Sequence, residues 1–301
     1  MKAGILARIE WPTVLLIVAN YLVWFSLVLF GDHLFAPLWV LLAGLSTALY
    51  WSLVHEVVHL HPTRWKILNF ALVYIPIGWT YALGRFGDGH LQHHATGELT
   101  DPFDDPESWY LARRDWKSSP GWVRFLLTVN NTMAGRLVIG PLVTLWRMVS
   151  GDIALVLRGG SEARKVALAW LAHVPGVVLL AWFVHAWSNI ALWQFVLAAY
   201  VGIAVILIRT FLEHQAAEGH GERTVIIEDR GLLAFLFLFN NLHVVHHTRP
   251  GLAWYLLPGF YRRHREAFIR RNKGYVYPSY GAVFARYLLR PKEPVAHPFV
   301  A

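Results

Sequence analysis

The amino-acid sequence predicts an all-α membrane protein with about four transmembrane helices in two hairpins and a cytoplasmic helical cap. Of the 301 residues, 56% are hydrophobic and only 15% are charged, whereas soluble domains carry about 25% charged residues. The mean hydropathy is +0.40. The chain also contains 15 tryptophans, which gather where an apolar medium meets water. These values favour a lipid bilayer as the solvent.

Four stretches have the roughly 20 apolar residues that a membrane-spanning helix needs: residues 11–30, 38–58, 166–187 and 190–208. A short GDHLFAP link joins the first two, and only Ser188 and Asn189 join the last two. The spans therefore form two hairpins within one domain of residues 1–301, and the cap comprises residues 59–165 and 209–301. The first span is interpreted as a retained anchor, because no cleavage site for a signal peptide follows it.

The positions of the basic residues predict the orientation of the spans. Neither hairpin tip contains any of the 27 lysines and arginines, and basic residues favour cytoplasmic loops. Both termini, Lys2 and Arg8 included, and the central segment are thus expected in the cytoplasm. The net charge of +8 is interpreted as contact with anionic lipid rather than nucleic acid. This applies above all to the basic residues of the tail, which are Arg262, Arg263, Arg265, Arg270, Arg271 and Lys273.

Two further apolar segments do not predict a simple span. Residues 67–83 contain Pro76 and Gly78 and are expected to dip into the bilayer or lie along it. Residues 125–149 are interrupted by polar residues, glycines and a proline, so they favour an interfacial helix pair. A single crossing by either segment would move the histidines that follow it to the other side of the membrane.

Histidine is the predicted metal ligand of this chain. The sequence has no cysteine and 16 histidines, which excludes disulfides, cysteine nucleophiles, thiolate haem ligands and conventional iron–sulfur clusters. Eight histidines form three short boxes with the spacing of one helix face, and a ninth follows the fourth span. Nine imidazoles suit two metal ions better than one. The nine candidate ligands are His55, His59, His90, His93, His94, His214, His243, His246 and His247.

The other seven histidines are not predicted to bind metal. His173 and His185 lie within a span and are expected to form interhelical hydrogen bonds. His61 follows the first box but points away from it on a continuing helix. The remaining four lack spacing partners and are expected at the surface: His33, His220, His264 and His297.

The three boxes, H55-E-V-V-H59, H90-L-Q-H-H94 and H243-V-V-H-H247, resemble those of the integral-membrane fatty acid desaturase and hydroxylase superfamily. The resemblance implies a non-haem di-iron centre at the cytoplasmic face that uses O2 and two electrons to oxidise unactivated C–H bonds in a lipid. It also implies an extra histidine ligand after the last span, and His214 has that location.

One position departs from the superfamily pattern. Members often carry an asparagine four residues before the extra histidine, where it holds a metal-bound water, but this chain has Thr210. Asn240 or Asn241 could replace it, although asparagine at a helix end is often only a cap. Glu56 and Glu213 are expected to orient imidazoles rather than to bind metal directly.

Two loop motifs remain outside this pattern. The run T100-D-P-F-D-D-P-E107 carries five carboxylates and two prolines, and is interpreted as a solvated loop that docks a basic partner or stabilises the metal domain. The segment G84-R-F-G-D-G89 does not match a nucleotide-binding motif.

Several reactions and partners stay open at this level. Acyl-chain desaturation is the leading reaction; the alternatives are a hydroxylase or ketolase, hence a monooxygenase, acting on a fatty acid, carotenoid or other hydrophobic substrate. An intramembrane zinc protease using His55, Glu56 and His59 and a non-catalytic metal carrier are remote alternatives. Without cysteine, the chain is expected to receive electrons from a separate ferredoxin, rubredoxin or cytochrome with its reductase.

Overall fold

The computed structural model describes residues 9–301, so Lys2 and Arg8 lie outside the described residues. The chain is an all-α membrane protein, 67% helical. Fourteen α-helices are present in the described residues: α1 Trp11–Phe30, α2 Ala36–Val58, α3 Lys66–Leu72, α4 Leu83–Ala95, α5 Arg113–Ser118, α6 Gly121–Asn130, α7 Met133–Val138, α8 Gly140–Arg158, α9 Gly160–Trp187, α10 Leu192–Thr210, α11 Leu232–Leu236, α12 His243–Thr248, α13 Leu257–Arg271 and α14 Tyr280–Tyr287. Two-residue strands β1 Ile226–Ile227 and β2 Val276–Tyr277 pair in parallel.

All four predicted spans are helices, namely α1, α2, α9 and α10. Helix α9 begins six residues before the predicted span because Gly159, with a φ of +75°, separates it from α8. Five helices of residues 9–301 are long and apolar enough to cross a membrane, since α8 joins these four by length and composition. Residues 67–83 instead contain all of α3 except its first residue, an irregular segment and the first residue of α4.

Helix α8 differs from the interfacial helix pair expected over residues 125–149. Helices α6 and α7 are short, but α8 continues to Arg158 as a single helix of 19 residues. The break that the sequence indicated at Gly140 and Pro141 is a helix start, because proline is well tolerated in the first turn of a helix.

The described chain divides into two compact units, and the prediction of a single domain stays a prediction. The first unit comprises residues 9–87 and Leu142–Ile206, and the second comprises Asp88–Pro141 and Leu207–Ala301.

In the first unit, small and polar residues allow close helix packing. The amide of Asn20 on α1 donates to the Ser46 carbonyl on α2 at 3.1 Å. A Cβ added at Gly202 on α10 would lie 2.6 Å from Cγ2 of Thr47 on α2, so only glycine permits this approach. Trp39 is fully buried and donates from Nε1 to the Leu27 carbonyl.

The second unit contains α5 to α7 and α11 to α14 together with the strand pair. Helix α13 packs Leu257, Tyr261 and Phe268 into a hydrophobic core with Val244 and Val245 of α12. The same contacts therefore hold the third histidine box against the rest of its unit.

Candidate metal centre

The second and third histidine boxes lie on α4 and α12 in the second unit. Both boxes have histidines at positions i, i+3 and i+4, which share one side of a helix. Each box divides its ligands between two groups. His90 and His94 belong with His246, whereas His93 belongs with His243, His247 and His214.

The larger of these two groups in the second unit contains four histidines: His93, His214, His243 and His247. Their candidate ligand nitrogens all lie within 4.8 Å of one another. The Nε2 atom of His214 lies 3.0 Å from Nε2 of His93 and 3.0 Å from Nε2 of His243. The extra histidine after α10 is thus placed between ligands from both boxes.

The neighbouring group in this unit contains His90, His94 and His246. The Nε2 atoms of His94 and His246 lie 3.0 Å apart. The rings of His90 and His94, one helical turn apart, have centroids 4.6 Å apart. The two groups adjoin, since the rings of His94 and His247 stack with centroids 4.3 Å apart.

The first box lies in the other unit, where α2 ends. The rings of His55 and His59 lie edge to face, with centroids 4.9 Å apart. Glu56 is buried, and its Oε1 atom lies 3.5 Å from Nδ1 of His55. Glu56 therefore lies beside His55, and its role in orienting that ring stays a prediction.

The acidic run after the second box orients two of the candidate ligands. Nδ1 of His93 lies 2.7 Å from Oδ1 of Asp105, and Nδ1 of His90 lies 2.8 Å from Oε1 of Glu107. Asp105 is only 4% exposed. The interpretation of this run as a solvated loop was therefore wrong for Asp105, whose buried carboxylate also accepts from the backbone N–H groups of Thr100 and Glu107.

A histidine donor to a carboxylate is the usual support of a metal-binding imidazole. Sequence reasoning missed Asp105 and Glu107 as partners of the ligands. A signal was available in the sequence. Asp105 follows His93 by 12 residues and Glu107 follows His90 by 17 residues, and both stand in a proline-containing turn that can bring the chain back towards α4.

Among the residues expected to support the ligands, Asn240 and Glu213 contact His243. Nδ1 of His243 lies 3.2 Å from Oδ1 of Asn240 and 3.5 Å from Oε1 of Glu213. Glu213 is also paired with Arg209 at 2.8 Å. Asn241 instead donates to the carbonyl groups of Ile227 and Asp229, so its amide stabilises the backbone beside β1.

The backbone before the third box is strained. Leu238 and Phe239 both have a positive φ, of 52° and 57°, a conformation that costs energy for residues other than glycine. The two residues immediately precede Asn240, so this turn helps to set the position of the Asn240 side chain against His243.

Burial and charge act differently on the histidines. Burial and neighbouring histidines hold the pKa values of His214, His243 and His247 well below the ordinary value. Burial likewise lowers the pKa of His94, to about 3. Burial also acts to lower the pKa of His93, but Glu107 and Asp105 outweigh it and raise that pKa to about 9.

The carboxylates respond to the same surroundings. Burial acts to raise the pKa of Glu107, yet His90 and His93 hold it below its usual range. Burial raises the pKa of Glu213 despite the opposing effect of Arg209. Glu107 is consequently ionised beside two of the candidate ligands.

The donor set fits a metal ion. Because a carboxylate only accepts hydrogen bonds, Nδ1 of His93 donates to Asp105, and a neutral His93 then presents an unprotonated Nε2 to His214. His243 is arranged in the same way, with acceptor oxygens at Nδ1. Nε2 of His247 is buried and has no hydrogen-bond partner among residues 9–301. Once His93 has lost its second proton, the converging imidazole nitrogens offer a binding site for a cation, and neutral imidazole is a good ligand for iron or zinc.

Lys292 is a further residue of the site that sequence reasoning missed. Its buried ammonium donates to the backbone carbonyl of His214 at 3.0 Å and pairs with Glu293. Burial lowers the pKa of Lys292. The sequence offered no spacing signal for this contact, because 78 residues separate the two partners.

The histidines not predicted as ligands have various surroundings. His33, His220 and His264 are exposed, as expected. Nε2 of His173 lies 3.0 Å from the Trp79 carbonyl, which fits the expected hydrogen bond between segments. The surface prediction for His297 was wrong, since it is buried and lies 3.2 Å from the hydroxyl of Thr100. His185, which was expected to form an interhelical hydrogen bond, is instead exposed. Nδ1 of His61 lies 2.7 Å from Oε1 of Glu10.

Comparison with known proteins confirms the resemblance that the boxes indicated. A comparison with curated protein sequences found no match. A family model described as Fatty acid desaturase matches residues 32–279, more than four fifths of the chain. The matched segment contains all three boxes and His214. The chain therefore belongs to the fatty acid desaturase family.

Proposed function

We propose that this protein is an O2-dependent di-iron enzyme that oxidises an unactivated C–H bond of a lipid, and that acyl-chain desaturation is its reaction. Family membership supports an oxidoreductase of the lipid desaturase and hydroxylase type. The observation that carries the proposal is the pair of adjoining histidine groups in the second unit, with Nε2 atoms 3.0 Å apart.

The proposal assigns all nine histidines of the boxes and the loop after α10 as ligands. His55 and His59 are included on the strength of the box pattern. Bound iron would supply the activation of O2 and the oxidising power for breaking the C–H bond. The protein would hold the imidazoles in one tautomer through Asp105 and Glu107 and would position the lipid while keeping water away.

The proposed orientation places both termini and the histidines in the cytoplasm. This orientation requires that α8 does not cross the membrane alone. The distribution of charge supports it, because a crossing α8 would bring Arg158, Arg164 and Lys165 into an outer loop, where basic residues are disfavoured.

The proposed partners are a lipid in the bilayer, anionic lipid at the cytoplasmic face and a separate electron donor. A ferredoxin, a rubredoxin or a cytochrome with its reductase would meet the last requirement. The absence of cysteine supports an external donor, because iron–sulfur clusters need thiolate ligands.

Metal analysis and lipid mass spectrometry test this function together. Purified protein should contain about two irons per chain, and a reconstituted reaction with a reductant should remove two hydrogens from an acyl chain. Gain of one oxygen atom would instead indicate the hydroxylase alternative. One zinc per chain with proteolytic activity would support the protease and overturn the proposal.

Two variants locate the reaction at the histidine groups. His94→Ala and His247→Ala, one from each group, should lose product and metal while the membrane helices remain folded. His220→Ala removes an exposed histidine outside the boxes and is the matched control. Normal product from both box variants would contradict the proposal.

A further inference from the structure

A groove runs between α8 and α9 in the first unit, far along the chain from every histidine box. Its volume is about 370 Å³, within the size range of small-molecule sites. The apolar side chains that line it are Val149, Ile153, Val156, Leu157, Val166 and Trp170. Side chains of two successive helices thus line an apolar groove.

Among the described residues, one charged residue lines the groove, and its charge is balanced by an arginine. Asp152 is 5% exposed and accepts hydrogen bonds from Nε of Arg85 at 2.9 Å and from Nε1 of Trp170 at 2.8 Å. A second nitrogen of Arg85 lies 2.9 Å from the same carboxylate. Because both carboxylate oxygens are satisfied, the groove offers an occupant apolar contacts only, which suits a hydrocarbon chain.

The surroundings of the groove indicate that this chain comes from a membrane lipid. Helix α8 exposes an apolar stripe at intervals of three and four residues, namely Leu142, Trp146, Val149, Ile153 and Leu157. Such a stripe is typical of a helix that contacts acyl chains. In α8 and in α9, only 22% of an 18-residue apolar stretch is buried, which is the lowest share among the five long helices.

Basic residues mark one end of the groove. Arg158 follows Leu157 directly, and Arg164 precedes Val166 by two residues on the other side of the Gly159–Gly160 turn. Both arginines are exposed, and neither forms an ion pair with another residue of the described chain. A guanidinium group binds phosphate oxygens in a bidentate manner, so an anionic headgroup complements this end.

We propose that the α8–α9 groove binds one anionic phospholipid, with an acyl chain along Ile153 and Val156 and its phosphate at Arg158 and Arg164. The proposal does not depend on the reaction at the histidine groups. It identifies a structural lipid rather than the oxidised substrate, because the basic turn would anchor the lipid at the membrane surface.

Native mass spectrometry of the purified holoprotein in detergent tests the proposal. Phosphatidylglycerol and phosphatidylcholine with the same acyl chains are added separately, and the retained lipid is counted. We expect one phosphatidylglycerol per chain and weaker retention of phosphatidylcholine. The double variant Arg158→Gln/Arg164→Gln should weaken phosphatidylglycerol retention roughly 10- to 30-fold, since each basic residue near a membrane surface contributes about a factor of five.

Ile153→Trp fills the groove and should abolish retention of both lipids. Two matched variants control for fold and for charge. Leu142→Trp enlarges an exposed residue of the same stripe outside the groove, and Arg124→Gln/Arg290→Gln removes two exposed arginines of the second unit. Both controls should retain lipid as the wild type does.

Three outcomes would overturn the proposal. One is unchanged phosphatidylglycerol retention in Ile153→Trp. Another is a dimer that Ile153→Trp abolishes, which would make a second copy of the chain the occupant. The third is oxidation of the retained lipid during turnover, which would make it the substrate. Iron content should be normal in every variant, so failure here is distinguishable from failure of the proposed function.

Discussion

Replacing Asp105 by asparagine is expected to weaken metal binding at the four-histidine group without unfolding the protein. Oδ1 of Asp105 accepts from Nδ1 of His93 and from the backbone N–H of Glu107, while Oδ2 accepts from the backbone N–H of Thr100. An asparagine has only one acceptor oxygen, so it serves either His93 or Thr100. It also removes the negative charge that makes the imidazole a stronger ligand.

The expected size of this effect follows from two independent considerations. Loss of a partner that orients a metal ligand costs about 10- to 100-fold in metal affinity, which corresponds to about 1.4–2.7 kcal/mol. A hydrogen bond to a charged group contributes about 1.5–3 kcal/mol. The two ranges agree, so a change of about 30-fold is expected for Asp105→Asn.

Chelator competition followed by elemental analysis measures this change. The matched control is Asp101→Asn, in the same acidic run, because Asp101 only accepts from the backbone N–H groups of Phe103 and Asp104. Asp101→Asn should bind metal as the wild type does. Equal affinity of Asp105→Asn and wild type, or an equal loss in the two variants, would refute the assignment of Asp105 to His93.

Three further predictions concern other contacts. Lys292→Met should lower the free energy of unfolding by about 3 kcal/mol, because it removes the cation that pairs with the Glu293 carboxylate; thermal unfolding in detergent checks this, and the exposed Lys117→Met should show no change. Gly202→Ala should cost about 1–3 kcal/mol of stability through overlap with Thr47, whereas Gly151→Ala, with open space at its Cβ, should not; equal melting temperatures would disprove the close helix contact. Metal affinity should rise about tenfold per pH unit from pH 7 to pH 9 and then level off, because His93, with its pKa of about 9, must lose one proton to bind; titration with zinc at several pH values measures this slope, and a flat profile would contradict it.

The membrane helices were predictable because their signal is local. A run of about 20 apolar residues has few other structures available in a bilayer, and α1 coincides with its predicted span. Helix α8 was harder to predict because Arg147 and Asp152 interrupt its apolar character. Asp152 becomes acceptable in this helix through Arg85, which stands 67 positions earlier in the chain.

The candidate ligands were predictable for a similar reason, since helical spacing places i, i+3 and i+4 together. What the spacing could not predict was the set of groups that orient them. Asp105 reaches His93 through a turn, and Lys292 reaches His214 from the C-terminal segment. Such contacts depend on tertiary packing and leave no periodic signal in the sequence.

The division of each box between two histidine groups has a consequence for how metal is gained and lost. Helix α12 has only six residues, and it carries His246 for one group and His243 and His247 for the other. Helix α4 divides its histidines in the same manner. Fraying of either helix would remove ligands from both groups at once. Loading and loss of two ions held in this way would be cooperative, so chains with one ion would be rare during chelation.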